Sequence, residues 1–221
     1  KFLICNADES DPGAYMDRIL IEGDPHKIIE GTAIASYAIG VGKAFIYIRS
    51  DYELAIRRLQ KAIDDAYDLG LLGHDIFDSG FNLDIVIRKG AGAFVCGEET
   101  ALISSIEGRR GMPSSKPPYP AEKGLYGKPT VVNNVKTIAN VPAIINNGSE
   151  WFKKTGTPSS KGTKLFSVSG KIDFPGLIEV PMGTTFQTII NEIVNKPGKD
   201  KSYKAIQVGG PSGYILPVDE F

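Results

Sequence analysis

Apolar positions in the amino-terminal part of the chain switch between short β-rich runs and longer stretches at helical spacing. Phe2-Leu3-Ile4-Cys5 reads as a short buried strand. Pro25-His26-Lys27 opens a helix with Ile28, Ile29, Thr32, Ala33, Ser36 and Tyr37 at helical spacing, ending at Gly40. Ala44-Phe45-Ile46-Tyr47-Ile48 is β-rich, bounded by Gly42 and Ser50. Ser50-Asp51-Tyr52-Glu53 has the form of a capping box. Behind it Ala55, Ile56, Leu59, Ala62, Ile63 and Ala66 share one helix face, and Gly70 is a natural stop. Leu83–Arg88 forms a third strand. Strand, helix, strand, helix, strand with long crossovers predicts an α/β fold, a parallel sheet covered by helices.

Ligands of such sheets bind beyond the carboxyl ends of the strands. Two loops qualify: Asn6-Ala7-Asp8-Glu9-Ser10-Asp11-Pro12-Gly13, and Lys89 to Gly97. After the second, Gly97-Glu98-Glu99-Thr100-Ala101-Leu102 opens an amphipathic stretch ending at Glu107-Gly108. Two adjacent carboxylates thus stand at a helix amino terminus, where unpaired N–H groups and the positive dipole end favour them. They are either helix stabilisers or the polar end of a cofactor pocket.

From Gly108 to Asn133 the sequence has no regular pattern, and its embedded Tyr119 and Tyr126 favour an ordered, functional wrap. Asn133-Asn134 precede a helical pattern through Val135, Ile138 and Ala139, bent or ended near Pro142. Gly148 to Lys161 reads as a linker. Beyond it the period changes. Lys164–Gly170 and Gly176–Val180 read as paired strands around a Phe174-Pro175-Gly176 turn. Thr185–Val194 reads as a helix with Phe186, Ile189, Ile190 and Ile193 inward, and Ala205–Val208 as a further strand. Together they suggest a small β-grasp-like module.

Composition narrows the function classes. Apolar residues at 42% and charged residues at 23% are ordinary for a globular chain of 221 residues. A net charge of −1 gives no reason to expect nucleic acid or an anionic membrane as partner. Uncharged runs such as Gly31 to Gly42 are too short to span a bilayer. No signal-peptide pattern is present. Two cysteines, Cys5 and Cys96, argue against a disulfide framework or a Cys-ligated metal, and a cytoplasmic setting is expected. His26 and His74 are too few for a His-based metal site, and each reads as a solvated loop residue. No metal ligand is assigned.

Gly90-x-Gly92 after a strand suggests a dinucleotide fingerprint, but its sixth position is Val95, so the fingerprint fails. Glycines for a tight strand-to-helix turn explain the pair equally well. Asp8-Glu9-x-Asp11 is open to three readings: a metal site, a ribose clamp that would favour NAD over NADP, or a solvated turn. The amides of Asn6, Asn133 and Asn134 suit a hydrogen-bonding heterocycle or ribityl chain, and equally turn or N-cap duty.

Cys5–Gly13 with Asp17-Arg18, the segment Gly92–Leu102, and Lys116-Pro117-Pro118-Tyr119-Pro120 together resemble one family. It is the FMN- and NADH-binding 51-kDa-type subunit of respiratory complex I, with the related diaphorase subunits of NAD-linked hydrogenases and formate dehydrogenases. Gly124–Gly127, Val132–Val135, Asn140-Val141-Pro142 and Asn147-Gly148-x-x-Trp151 continue the match, and from about Lys164 the chain resembles the ubiquitin-like SLBB module that follows the flavin domain. The resemblance implies a parallel-sheet, Rossmann-like FMN/NADH-binding domain over 1–150, a linker over 151–162 and an SLBB β-grasp domain over 163–221.

The resemblance also implies roles. Asn6 and Asp8 contact the phosphate–ribityl region of FMN, Gly97 and Glu98 lie against the flavin, and Asn133 and Asn134 hold its phosphate end. Glu9, Asp11, Phe94, Glu99 and Tyr119 face the NADH, with Glu99 orienting the nicotinamide and Tyr119 stacking on adenine. No residue acts as catalytic acid or base. The family usually has Glu at Asp11, Tyr at Phe94 and Phe at Tyr119, so Asp11 has a shorter reach, Phe94 loses a hydroxyl donor near the nicotinamide, and Tyr119 keeps the ring.

The family's Gly-rich phosphate loop and the cysteine cluster holding its [4Fe–4S] centre have no counterpart in these residues. An internal segment of a longer subunit is therefore expected, one that by itself binds FMN weakly and is inactive. The implied function is NADH oxidation by hydride transfer to FMN, with electrons passed to neighbouring iron–sulfur subunits of an assembly peripheral to the membrane. The alternative is a non-catalytic subunit-docking module with a vestigial nucleotide site.

Overall fold

The computed structural model describes residues 1–196 and 203–218. They divide into two compact units, one of Lys1–Ser10 with Asp17–Asn146, the other of Asp11–Met16 with the chain from Asn147 onward.

The first unit is built on a five-stranded sheet. Its strands are β1 (Phe2–Ala7), β2 (Lys43–Arg49), β3 (Gly73–Ile76), β4 (Phe81–Gly90) and β5 (Thr130–Asn134), in the order β3-β4-β2-β1-β5. The pairs β4·β2, β2·β1 and β1·β5 are parallel, and only the short edge strand β3 is antiparallel. Helices α1 (Met16–Gly23), α2 (Pro25–Ile39), α3 (Glu53–Asp68), α4 (Glu99–Ile106), α5 (Pro120–Lys123) and α6 (Val135–Asn147) complete the unit.

Alternation along the central strands separates two cores. Leu3, Cys5, Ala7, Ala44, Ile46 and Ile48 join a cluster with Ile28, Leu59 and Ile138 from α2, α3 and α6. Ile4, Phe45 and Tyr47 face the other way, onto Cys96, Leu102 and Leu125. Cover on both faces is why β1 and β2 read as unbroken apolar runs.

Local chemistry sets the helix ends. Asp24 caps α2 by accepting from Lys27 N–H at 3.1 Å, and Gly40 closes it in the left-handed region at φ 73°. The capping box expected at Ser50–Glu53 does not form. Asp51 is held by Arg49 instead, with Nε–Oδ1 at 2.9 Å, and Glu53 starts α3 behind an N-cap, Tyr52, that makes no side-chain bond. Pro142 lies inside α6 without ending it. His26 and His74 are exposed as expected, but lie in the first turn of α2 and on β3 rather than in loops.

Four elements of this unit had no counterpart in the sequence pattern: α1, β3, α5 and β5. The last arises within the stretch read as irregular. It is five residues long, and its ladder partner β1 lies at the other end of the unit in sequence.

The second unit carries α7 (Ser149–Lys153) and a Thr157–Ser160 turn within the segment read as linker. It contains an antiparallel hairpin of β6 (Thr163–Val168) and β7 (Gly176–Pro181), as expected, and a second of β8 (Ala205–Val208) and β9 (Tyr214–Pro217). Between them α8 (Phe186–Thr188) runs into a π turn over Ile189–Ile193, closed by Val194 N–H on the Ile189 carbonyl at 3.0 Å. The extra residue in that turn shifts the helical phase. Val194 is therefore fully buried beside Val180 and Ile189, while Ile193, expected inward, is exposed. The expected end of this module, Phe221, lies outside the described residues.

Candidate functional site

Because β1, β2, β4 and β5 are parallel, the segments following their carboxyl ends share one rim of the sheet. Register places Asn6 opposite Asn134 and Cys5 opposite Asn133 on β1 and β5. The Asn6 side chain donates Nδ2–H to the Gly97 carbonyl at 3.0 Å and accepts from Asp8 N–H at 3.0 Å. Asn134 donates to the Asn6 carbonyl at 3.4 Å and to Asp17 Oδ2 at 2.7 Å, and accepts from Lys136 N–H at 2.9 Å. Three loops from opposite ends of the unit are thereby tied together by two asparagine side chains.

Acidic residues on the rim divide by environment. Asp8 Oδ1 accepts from Ser10 Oγ at 2.6 Å, while Asp8 Oδ2 is buried without a partner among the described residues. Burial pushes the Asp8 carboxyl above its ordinary range, against the pull of Ser10 and Arg49. The buried Glu9 carboxylate points away into the start of α1, accepting from Asp17 N–H at 3.1 Å and Arg18 N–H at 3.2 Å. Its carboxyl is also raised, by burial first and then by the neighbouring Asp17 carboxylate. Lys136 Nζ stands 3.4 Å from Asp17 Oδ1, an ion pair without hydrogen-bond geometry.

Phe94, Val95, Cys96 and Gly97 form a single 3₁₀ turn after β4, with Phe94 64% exposed. Glu98 caps α4 by accepting from Thr100 N–H at 2.8 Å and Ala101 N–H at 3.0 Å. Burial alone would raise its carboxyl, but the bonds from Thr100, Ala101 and Lys116 together hold it below the ordinary value. Lys116 bridges both adjacent carboxylates, at 3.2 Å from Glu98 Oε1 and in direct contact with Glu99. Tyr119, half-exposed, precedes α5 at its N-cap.

The structure thus brings Asn6, Asp8, Gly97, Glu98 and Asn134 into one bonded cluster, with Asn133 beside it in register and Glu99 joined to it through Lys116. The Asn133 side chain has no hydrogen-bond partner among the described residues. Glu9 contributes its main chain to the rim, its carbonyl accepting from Arg49 Nη1 and Tyr52 Oη, each at 3.2 Å. Asp11 belongs to the second unit, where its carboxylate abuts Gly210.

Arg49, Tyr52, Asp17, Lys136 and the bridging position of Lys116 went unassigned in the sequence. Arg49 ends β2, so the carboxyl-end rule that singled out the loops after β1 and β4 would have found it. Its guanidinium also lies 3.5 Å from where a side chain at Gly92 would begin. Gly90 has no room for a side chain because the Tyr47 hydroxyl fills the space 2.5 Å away. Gly90 is therefore explained by packing, and Gly92 by its left-handed backbone at φ 78°.

A flavin mononucleotide fits the donor set. The partnerless Asp8 oxygen and the free Asn133 amide offer an acceptor and donors to hydroxyl and phosphate groups. Gly97 meets only the Asp8 carbonyl, at 3.5 Å, where a side chain would start, so the protein's own packing does not demand glycine there. A flat ring approaching the backbone would. No group of three or more His, Cys, Asp or Glu among the described residues is placed to hold a metal ion.

Comparison with known proteins identifies the family. The "Nuo51 FMN-binding domain" family model matches residues 1–143. The NADP-reducing hydrogenase subunit HndC of Solidesulfovibrio fructosivorans is 58% identical over 216 residues, 98% of this chain and 44% of that protein. The F subunit of the NADH-quinone oxidoreductase of Aquifex aeolicus is 53% identical over 209 residues, 95% of this chain and 49% of that protein. The chain spans about half the length of these curated relatives. A crystal structure of an NAD+-reducing [NiFe]-hydrogenase in its H2-reduced state superimposes with a TM-score of 0.88 at 41% identity, covering 99% of this chain and 37% of that one. The chain belongs to the Nuo51 FMN-binding domain family, the 51-kDa-type flavin subunits of complex I and related hydrogenases.

Proposed function

We propose that this chain forms the electron-entry site of an NADH-oxidising flavoprotein, and that the hydrogen-bonded ties of Asn6 to Asp8, Gly97 and Asn134, together with the unpartnered Asp8 oxygen, carry that reading. FMN, when bound, supplies a two-electron acceptor for the nicotinamide hydride and a one-electron donor to an iron–sulfur cluster. Such a transfer needs alignment rather than a protein acid or base, consistent with a rim rich in amides and fixed carboxylates.

Asn6, Asp8, Gly97, Glu98, Asn133 and Asn134 hold the flavin side. Phe94 and Tyr119 offer half-exposed to exposed rings to the dinucleotide, where stacking supplies area at little cost in entropy. Glu99, tethered by Lys116, orients the nicotinamide, and Glu9 joins the NADH side through its main chain. The second unit serves as the SLBB-like module, and neighbouring iron–sulfur subunits receive the electrons. The place proposed for the assembly is cytoplasmic and peripheral to the membrane. No described helix is long and apolar enough to cross one.

The test is NADH:ferricyanide reduction by the purified protein in its native assembly, read together with its flavin absorbance. Activity with flavin present is the expected result. Bound flavin without activity would overturn the enzymatic reading in favour of a docking module.

A further inference from the structure

Between Ala62 and Ile87 the chain carries six aspartates (Asp64, Asp65, Asp68, Asp75, Asp78 and Asp84) and no lysine or arginine. Elsewhere basic residues prevail, since the whole chain's 25 basic and 26 acidic residues leave 25 against 20 outside this stretch. Within this acidic stretch lies the β3–β4 hairpin. Its turn, Ile76-Phe77-Asp78-Ser79, is closed by Ser79 N–H on the Ile76 carbonyl at 3.3 Å.

Phe77 and Asp78 stand in the left-handed region at φ 57° and 55°, as the central residues of a type I′ turn do. Asn-Gly is the usual occupant, because a Cβ is strained there. Burying the phenyl ring could offset that strain, yet Phe77 is 80% exposed, the highest value for a large apolar residue among those described. Behind the turn Phe81 faces Ile76 across the hairpin and meets Tyr37, 66% exposed, edge-on at 5.3 Å. The tip adjoins the amino end of β4, opposite the rim that carries the candidate cofactor site.

We propose that the Phe77 tip is an aromatic anchor for a partner protein whose receiving pocket is apolar and rimmed by lysine and arginine. Charge decides the class of partner. A second copy meeting this face through a two-fold axis would set aspartates against aspartates. A membrane surface carries anionic lipid and repels it. A basic rim gains from the aspartates during approach and lets the ring supply the buried contact.

The decisive experiment replaces Phe77 with photoreactive p-benzoylphenylalanine in the native assembly and maps the cross-link by mass spectrometry. A cross-link to another polypeptide, at a segment with apolar residues flanked by lysine or arginine, is expected. A cross-link to a second copy of this chain, to lipid, to a segment without basic residues, or to nothing overturns the proposal. Phe77→Asn provides an independent check, because Asn tolerates the left-handed turn. The variant should keep its NADH:ferricyanide activity and an equal or higher melting temperature. Its partner should dissociate about 30-fold more readily, as loss of an interface anchor implies. Unchanged association of Phe77→Asn would also overturn the proposal.

Discussion

Asn6 donates its side-chain amide to the Gly97 carbonyl at 3.0 Å, across 91 residues of sequence. The same side chain accepts from Asp8 N–H, so one residue sets the spacing between the acidic loop and the 3₁₀ turn. Asn6→Ala leaves a part-buried carbonyl and amide unpaired, which costs about 1–3 kcal/mol. Urea denaturation should show that loss, and the purified assembly should retain less flavin. An unchanged denaturation midpoint with full flavin content would show that the tie has no such role.

Glu98 caps α4 and stands on the flavin side of the rim. Glu98→Gln keeps an acceptor for the Thr100 and Ala101 amides but removes a negative charge. Negative charge near the flavin disfavours its anionic reduced form, so the variant should raise the flavin midpoint potential in a spectroelectrochemical titration. A midpoint unchanged or lowered would sink this assignment. Stability supplies a second reading. The Glu98 carboxyl is held below its ordinary value of 4.5, so its contribution is present above that pH and is lost as pH falls through the lower folded value. The stability advantage of wild type over Glu98→Gln should therefore shrink on acidification below 4.5.

Much of the first unit was legible because β1, α2, β2, α3 and β4 each announce themselves by local period. The parallel order then placed the loops after β1 and β4 on one rim. What stayed hidden depends on distant pairing. Thr130–Asn134 has too few residues for a pattern of its own and becomes β5 only against β1. The Glu9 carboxylate reads as a rim acid, but α1, itself unforeseen, turns it inward as a cap. Ile193 and Val194 exchange places because a π turn breaks the 3.6-residue phase.

Glu9 should show the opposite pH behaviour to Glu98. Its folded carboxyl is raised above 4.5 by burial and by Asp17. A raised value means that stability is greatest below the unfolded value and is lost as pH rises through the folded one. Glu9→Gln retains an acceptor for the Asp17 and Arg18 amides and carries no charge. The difference between wild type and variant should therefore move in the variant's favour between pH 4.5 and neutrality, as followed by chemical denaturation at each pH. A difference that stays flat, or grows in favour of wild type, would show that the carboxylate is not strained by its burial.

Gly31 tests how tightly the site's scaffold is held. It is buried in α2, and a Cβ there would lie 2.2 Å from the Ile138 carbonyl oxygen on the backbone of α6. In an exposed helix, Gly→Ala gains about 1 kcal/mol. Here the clash is with backbone, which cannot swing aside as a long side chain can. Overpacking of this kind costs typically about 1–3 kcal/mol, so Gly31→Ala should be net destabilising by thermal denaturation. The helix pushed away is α6, whose first turn follows Asn134 and carries Lys136. Flavin content should therefore fall along with the melting temperature. A variant that melts higher than wild type would show that α2 and α6 are not in this close contact.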